Sequence, residues 1–115
     1  MDKLTEIEMS MIQRDIQKQP GRKFSYSNQS VVCGIFTTKS KAKQYIPNKN
    51  FLIRQKSDQW FDGLEHWIFF NINEPFTCRG YRFYKIKIDK NIDRKMFFEH
   101  IYPCCSVYCK EIEFI

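Results

Sequence analysis

Aromatic and basic side chains alternate along one segment of the chain in a pattern suited to nucleic-acid binding. Because side chains alternate across a β-strand, a strand over residues 81–89 would place Tyr81, Phe83, Lys85 and Lys87 on one face. Aromatic rings stack on bases for about 1–3 kcal/mol each, and cationic side chains bind the phosphates. The pattern therefore predicts a surface for single-stranded nucleic acid, with Arg79 at its start.

A neighbouring strand, predicted over residues 65–73, adds two rings to this surface. Trp67 and Phe69 share one of its faces. If the core faces of the two strands match, these rings join Tyr81 and Phe83 in one aromatic patch. One alternative is that a helix covers the patch and makes the rings ordinary core. A second is that Lys85 and Lys87 pair with Glu111 and Glu113 of the last strand.

Residues 79–86 also carry a motif-like order of residue types. Arg79, Gly80, Tyr81 and Phe83 follow the pattern basic, glycine, aromatic, any, aromatic. The segment resembles the first ribonucleoprotein motif of RNA-recognition-motif domains, which implies that its rings stack on RNA bases. It departs from the motif at Arg82, where that family has a small residue, and residues 31–36 do not supply the partner motif. The resemblance covers eight residues and does not assign the chain to the family.

A second basic group lies at the start of a predicted short helix, where Lys39, Lys41 and Lys43 follow one another at every second position. Cations are unfavourable at the amino end of a helix, and a bound anion reverses that effect. The sequence therefore predicts a phosphate contact formed by Thr37, Thr38, Lys39, Ser40 and Lys41. The alternative is that the lysines extend into water, where salt screens their charge.

The charge distribution favours an acidic partner. The formal net charge is +6, and residues 16–57 contain nine basic residues and no acidic one. Such a block creates a positive field that attracts polyanions or acidic protein surfaces. The alternative is that the excess of basic residues reflects the general amino-acid composition and not a binding function, because lysine, isoleucine, asparagine, phenylalanine and tyrosine are all abundant in this chain.

Two clusters contain residue types that could bind a metal or do catalysis. The first combines zinc-ligand types at poor spacing, because Pro103 is expected to separate a helix from a strand; its members are His100, Cys104, Cys105 and Cys109. The second groups acidic residues with a histidine around a turn, where carboxylates are usually solvated turn formers; its members are Asp58, Asp62, Glu65 and His66. The sequence predicts no metal site, no cofactor and no catalytic site.

The elements that position these residues predict an α+β fold of one domain, residues 1–115, with an N-terminal helix in residues 1–20 and a sheet body in residues 31–115. Periodicity and turn residues predict the order α-β-α-β-β-β-α-β and a mostly antiparallel sheet of about five strands. The predicted helices are residues 2–18, a short helix capped by Thr38 or Ser40 and ending before Pro47, and a helix from Asp93 to Tyr102 ended by Pro103. The predicted strands are residues 31–37, 51–56, 65–73, 81–89 and 106–115, with a turn over residues 58–63.

These patterns together predict a non-enzymatic binding module for an acidic partner, with nucleic acid expected first and an acidic protein surface second. Five cysteines without a secretory signal or a membrane-spanning run indicate reduced thiols and an intracellular, cytoplasmic or nuclear, location. The alternative function is a small protein–protein interaction or inhibitor module of viral or phage type that uses the same aromatic patch, and a homodimer is left open. The predicted contact residues are Lys39, Lys41, Lys43, Arg79, Tyr81, Phe83, Lys85 and Lys87.

Overall fold

The computed structural model describes residues 2–20, 31–46, 54–56, 59–61, 64–105 and 109–115, with the backbone alone for residues 54–56 and 61. The predicted strand 51–56, the turn 58–63 and the start of the strand 106–115 lie partly outside these ranges. Within them the chain forms the following elements, in order: α1 (Glu6–Gln17), β1 (Val31–Thr37), α2 (Lys39–Tyr45), β2 (Arg54–Lys56), β3 (Gln59–Phe61), β4 (Glu65–Asn71), β5 (Lys85–Ile88), α3 (residues 94–105) and β6 (Glu111–Phe114).

Helix α1 begins where Thr5 caps it. The Thr5 hydroxyl accepts a hydrogen bond from the Glu8 amide at 3.1 Å, and Glu8 Oε1 accepts one from the Thr5 amide at 3.1 Å. This reciprocal pair is a capping box, which fixes the first turn. Ile12 and Ile16 are buried in the same core as Ile112 of β6. The predicted helix is therefore present, but it starts after the cap and not at residue 2.

The strands form one mixed sheet in the order β2-β3-β4-β1-β5-β6. Strands β4, β1, β5 and β6 run parallel to one another, whereas β3 is antiparallel to both β2 and β4. The α+β class is confirmed, and the prediction of a mostly antiparallel sheet is wrong. Among the described strands, the predicted antiparallel neighbours are found only between β2 and β3 and between β3 and β4. The predicted turn at residues 58–63 contains β3 itself.

The link from β4 to β5 explains the difference. Residues 72–84, which we call the crossover, leave the end of β4, pass over one face of the sheet and enter β5 on the far side of β1. Parallel neighbours require such a crossover, whereas a hairpin joins only antiparallel strands. The strand predicted over residues 81–89 is consequently shortened to Lys85–Ile88, because residues 81–84 still belong to the crossover.

The sheet carries a core on each face. The first face packs against α1, α3 and the crossover, with Phe36, Phe83 and Phe97 fully buried. The second face packs against α2, whose Ala42 is buried with Trp67 of β4. Burial on both faces is what parallel strands require.

Helix α3 begins at its predicted cap, where Asp93 Oδ2 accepts a hydrogen bond from the Met96 amide at 3.1 Å. Its residues 94–96 are α-helical, Phe97–Ile101 form a π-helical turn, and Tyr102–Cys105 are α-helical again. The prediction that Pro103 ends this helix is wrong. A proline inside a helix removes an amide donor and collides with the carbonyl four residues earlier, and here that carbonyl lies in the wider π-helical turn.

Candidate binding surface

The two lysines of β5 lie on the second face of the sheet, close to Trp67 of β4. Lys85 Nζ is 2.8 Å from Glu65 Oε2, and Lys87 Nζ is 2.8 Å from Glu113 Oε2. Lys87 Nζ is also 5.8 Å from the centre of the Trp67 ring, within the range of a cation–π contact. The hydrogen bond to Glu65 raises the pKa of Lys85, although burial acts against it. Carboxylates of the protein therefore neutralise both lysines.

One of the two ion pairs matches the alternative predicted from the sequence. Lys87 pairs with Glu113 of the neighbouring strand, as the cross-strand alternative predicts. Lys85 pairs with Glu65, which lies on the other side of β1, and so does not take Glu111 as its partner. The pairing spans three strands and was not predictable without the parallel register.

The four rings predicted to form one aromatic patch lie on opposite faces of the sheet. Trp67 is 3% exposed and packs on the second face, with Phe69 half-buried beside it. Phe83 is fully buried in the core of the first face. Tyr81 is half-buried, and its ring stacks on that of Phe83 with centroids 5.5 Å apart. The prediction of a single open patch is wrong, because Tyr81 and Phe83 lie on the crossover and not on a strand beside β4.

The segment that resembles a ribonucleoprotein motif also lies on the crossover. Residues 79–84 precede β5, whereas the motif requires a strand in the middle of the sheet. Gly80 has a φ of 91°, a left-handed conformation that favours glycine, so it serves to turn the chain. Arg79 is exposed on the crossover, on the opposite side of the sheet from α2. The expected stacking role of the motif has no structural basis at this position.

Helix α2 carries three lysines, at positions 39, 41 and 43. Lys39 and Lys43 are exposed and one helical turn apart, and neither makes an ion pair with the residues that the structure describes. Like charges at this spacing destabilise a helix by about 0.2–0.5 kcal/mol. Lys41 lies between them and is partly exposed, with its Nζ 3.6 Å from Asp89 Oδ2. We call Lys39, Lys41 and Lys43 the α2 lysines; Lys39 and Lys43 share one exposed face of the helix, whereas Lys41 lies on the side of Asp89.

The hydroxyl groups predicted to contact a phosphate are engaged within the protein. The buried Thr37 hydroxyl donates to Asp89 Oδ2 at 2.6 Å. The Thr38 hydroxyl accepts from the Lys41 amide at 3.4 Å and lies 3.5 Å from Ser40 Oγ. Thr38, one of the two residues predicted to cap this helix, is therefore its cap. The predicted phosphate contact at this turn is not preformed, because its hydroxyl groups already have partners within the protein.

Asp89 is a buried carboxylate that the sequence reasoning did not single out. It directly follows β5, as Thr37 ends the neighbouring β1, and its Oδ1 accepts the Asn91 amide at 2.8 Å. Burial raises the pKa of Asp89, but the hydrogen bonds from Thr37 and Asn91, together with the nearby Lys41, hold it below its ordinary value. A polar residue directly after each of two β-rich apolar runs is the signal that could have identified this pair.

The remaining candidate clusters do not assemble into a recognisable centre in the described part of the chain. No three histidine, cysteine, aspartate or glutamate side chains converge there as metal ligands would. Asp58 and Asp62 lie outside the described residues, and His66 Nε2 is 2.9 Å from Gln59 Oε1. All five cysteines are buried free thiols, as the sequence predicts.

Comparison of the chain with protein-family models, with curated proteins and with solved structures gives no match. In the described ranges, no helix has the length and apolar character needed to cross a bilayer. A function must therefore be argued from the residues and their contacts.

Proposed function

We propose that the protein is a non-enzymatic module that binds a polyanion, with nucleic acid as the expected partner, through Lys39 and Lys43 of α2. One observation carries the proposal: Lys39 and Lys43 remain unpaired among the described residues, whereas Lys85 and Lys87 are neutralised by carboxylates. Two of the charges behind the net charge of +6 are thus available on α2. Unpaired cations on one helix face bind phosphates in proportion to the counterions that they release.

The proposed contact is to the backbone of the nucleic acid and not to its bases. Trp67 and Phe83 are buried, and Tyr81 stacks on Phe83. Base stacking requires an open ring face, so these residues are left out of the proposed contact. Phosphate contacts carry no sequence information. Binding is therefore expected to be similar for single strands of different sequence and to weaken steeply with salt.

The test is a fluorescence anisotropy titration of labelled single-stranded DNA and RNA at two salt concentrations. Each cation lost from a single-strand complex is expected to reduce the magnitude of the negative slope of log K against log salt by about 0.7. The double variant Lys39→Gln/Lys43→Gln should therefore make the slope less steep by about 1.4 and weaken binding to every sequence alike. These substitutions lie on the exposed face of a helix, so folding should be kept.

The matched control is Arg14→Gln/Lys18→Gln, which removes the same charge from exposed positions of α1. Lys110, which precedes the edge strand β6, holds the carboxyl end of α1 on the first face of the sheet, whereas α2 packs on the second face. The control should reduce the affinity only slightly, through the net charge, and this effect should be smallest at high salt. The proposal would be contradicted if the affinity did not depend on the salt concentration, or if the two double variants reduced the affinity equally.

A protein interface is the second candidate, and one observation favours it. Ile7 and Met11 lie one turn apart on the outward side of α1 and are 73% and 55% exposed. Sedimentation equilibrium would test self-association, with Ile7→Glu/Met11→Glu expected to return any dimer to monomer. Wild-type protein that stays monomeric at high concentration would remove the homodimer from this candidate.

A further inference from the structure

Two cysteines from distant parts of the chain meet beneath the first face of the sheet. Cys78 of the crossover and Cys104 of α3 have their Sγ atoms 3.7 Å apart. Cys78 Sγ donates to the His100 carbonyl at 3.0 Å, and Cys104 Sγ donates to the Cys78 carbonyl at 3.1 Å. A disulfide bond requires sulfur atoms about 2.05 Å apart. To reach bonding distance, the two sulfur atoms must therefore approach each other by less than the length of one disulfide bond, with a change of side-chain rotamer.

The two thiols differ in reactivity. The hydrogen-bond contact with Cys78 lowers the pKa of Cys104 despite its burial, and the nearby Arg82 acts in the same direction. The contact with Cys104, together with burial, raises the pKa of Cys78. Cys104 is also the more accessible of the two, with 5% of its surface exposed against 1% for Cys78. Because the thiolate is the reactive form, Cys104 is the better nucleophile, whereas Cys78 retains its proton more strongly.

We propose that Cys78 and Cys104 form an oxidation site, a dithiol in which Cys104 reacts with a peroxide and Cys78 then closes a disulfide. The Cys104 thiolate attacks one oxygen of hydrogen peroxide, the O–O bond breaks, and the leaving hydroxide takes up a proton to become water. The product is a sulfenic acid. The Cys78 sulfur then attacks the Cys104 sulfur, and the hydroxyl group leaves as water with the Cys78 proton. Two thiols lose two electrons in total, and one peroxide becomes two waters.

The other cysteines are less suited to this chemistry. Cys105 and Cys109 also lie close together, and their contact lowers the pKa of Cys109 while burial raises that of Cys105. Both are, however, completely buried. Burial likewise raises the pKa of Cys33, which lies on the other face of the sheet. Of the five cysteines, Cys104 has the largest exposed fraction and is therefore the most accessible to peroxide. The site does not depend on the proposed binding by α2, because the two lie on opposite faces of the sheet.

The test treats the folded full chain with hydrogen peroxide, blocks the remaining thiols with an alkylating agent and maps the bonds by mass spectrometry. Trypsin separates the Cys78 peptide at Arg79, and chymotrypsin separates Cys104 from Cys109 at Tyr108. The expected product lacks two hydrogen atoms and contains a Cys78–Cys104 link that dithiothreitol reverses. Fragmentation of the linked peptide distinguishes Cys104 from Cys105.

Three serine variants complete the test. Cys104→Ser should abolish the link, whereas Cys105→Ser, which changes the adjacent residue, should leave it. In Cys78→Ser the reaction should stop at the sulfenic acid of Cys104, which dimedone traps. Circular dichroism confirms that each variant is folded. The proposal is overturned if the folded wild type forms no link, if the link maps to Cys105 and Cys109, or if dimedone labels another cysteine in Cys78→Ser.

Discussion

The hydroxyl of Thr37 donates a 2.6 Å hydrogen bond to the carboxylate of Asp89 across the ends of two parallel strands. At this point the chain leaves β1 toward β4 and leaves β5 toward β6, so the connections diverge on either side of the pair. Many open α/β sheets bind ligands at such a divergence. In this protein the position is occupied by a buried hydroxyl–carboxylate pair that Lys41 approaches from α2.

The Thr37–Asp89 pair is expected to stabilise the fold. Thr37→Val keeps the shape of the side chain and removes one donor from a buried carboxylate, so the free energy of unfolding should fall by about 1–3 kcal/mol. The pKa of Asp89 is lowered in the folded protein. Its contribution is therefore present above the unfolded pKa of about 3.9 and lost as the pH falls through the folded value. Urea unfolding between pH 7 and pH 3 should show the variant approaching the wild type at low pH.

The control for this pair is Lys41→Met. Its side chain is partly exposed and its Nζ lies 3.6 Å from the carboxylate, so the loss should be below about 1 kcal/mol. Equal losses in Lys41→Met and Thr37→Val would contradict the assignment of Thr37 as the principal partner of Asp89.

The ion pair between Glu8 and Arg94 should make the docking of α1 on α3 sensitive to acid. Arg94 Nη2 is 2.7 Å from Glu8 Oε2, and the hydrogen bond from Arg94 lowers the pKa of Glu8 to about 2. The pair therefore stabilises the folded state above the unfolded pKa of about 4.3, and this contribution is lost as the pH falls toward 2. Glu8→Gln retains the capping box. Its free energy of unfolding should be lower than that of the wild type at pH 7, and the difference between the two proteins should disappear at low pH.

The matched control for Glu8 is Glu99→Gln on α3, whose carboxylate lies 4.0 Å from the exposed Lys95. Exposed pairs at that distance contribute little, so its unfolding curve should follow the wild type. A difference between Glu8→Gln and wild type that stays constant down to pH 2 would show that the charge of Glu8 is not its cause.

Gly34 is expected to tolerate no side chain. A Cβ atom at this position would lie 3.0 Å from ring atoms of Phe36 and of Phe83, both fully buried. Gly34→Ala should lower the free energy of unfolding by about 1–3 kcal/mol through overpacking. The measurement is urea unfolding monitored by circular dichroism.

A smaller residue at position 83 should relieve this clash. In the double variant Gly34→Ala/Phe83→Leu, the loss should be smaller than the sum of the two single losses, because the residues share one contact. Additive losses would place the cost of Gly34→Ala outside the ring of Phe83, in the ring of Phe36 or in the backbone.

The buried tryptophans make a direct test of the mode of nucleic-acid binding. Trp60 and Trp67 are 5% and 3% exposed. A partner held through phosphates by Lys39 and Lys43 cannot reach either indole ring, so saturating single-stranded DNA should leave the tryptophan emission unchanged. Anisotropy of the labelled DNA in the same sample confirms that it is bound. Strong quenching on binding would instead indicate base stacking on a rearranged sheet face.

Features encoded by neighbouring residues could be predicted from the sequence. The strand Val31–Thr37 and the caps Thr38 and Asp93 follow from β-propensity and from side-chain hydrogen bonds within three residues. Tyr81 and Phe83 alternate as in a strand, yet the alternation continues through a crossover whose path depends on β1, about fifty residues away in the sequence. Local periodicity cannot distinguish these cases.

The candidate site divides in the same way. Lys39 and Lys43 stay together because they are one helical turn apart, and this proximity could be predicted from their spacing. The neutralisation of Lys85 by Glu65 could not be predicted from the sequence, because the two residues meet only through parallel pairing on both sides of β1. The same holds for Cys78 and Cys104, which 26 residues separate along the chain.

Strand β1 takes both of its neighbours from much later in the sequence, with Val31 opposite Glu65 and Cys33 opposite Lys85. During synthesis, the most apolar strand must therefore wait until the chain has passed Ile88 before it is flanked on both sides. Contacts of such long sequence separation slow folding and leave apolar segments open to misassociation. We expect the newly made chain to need its greatest protection from aggregation before β5 emerges.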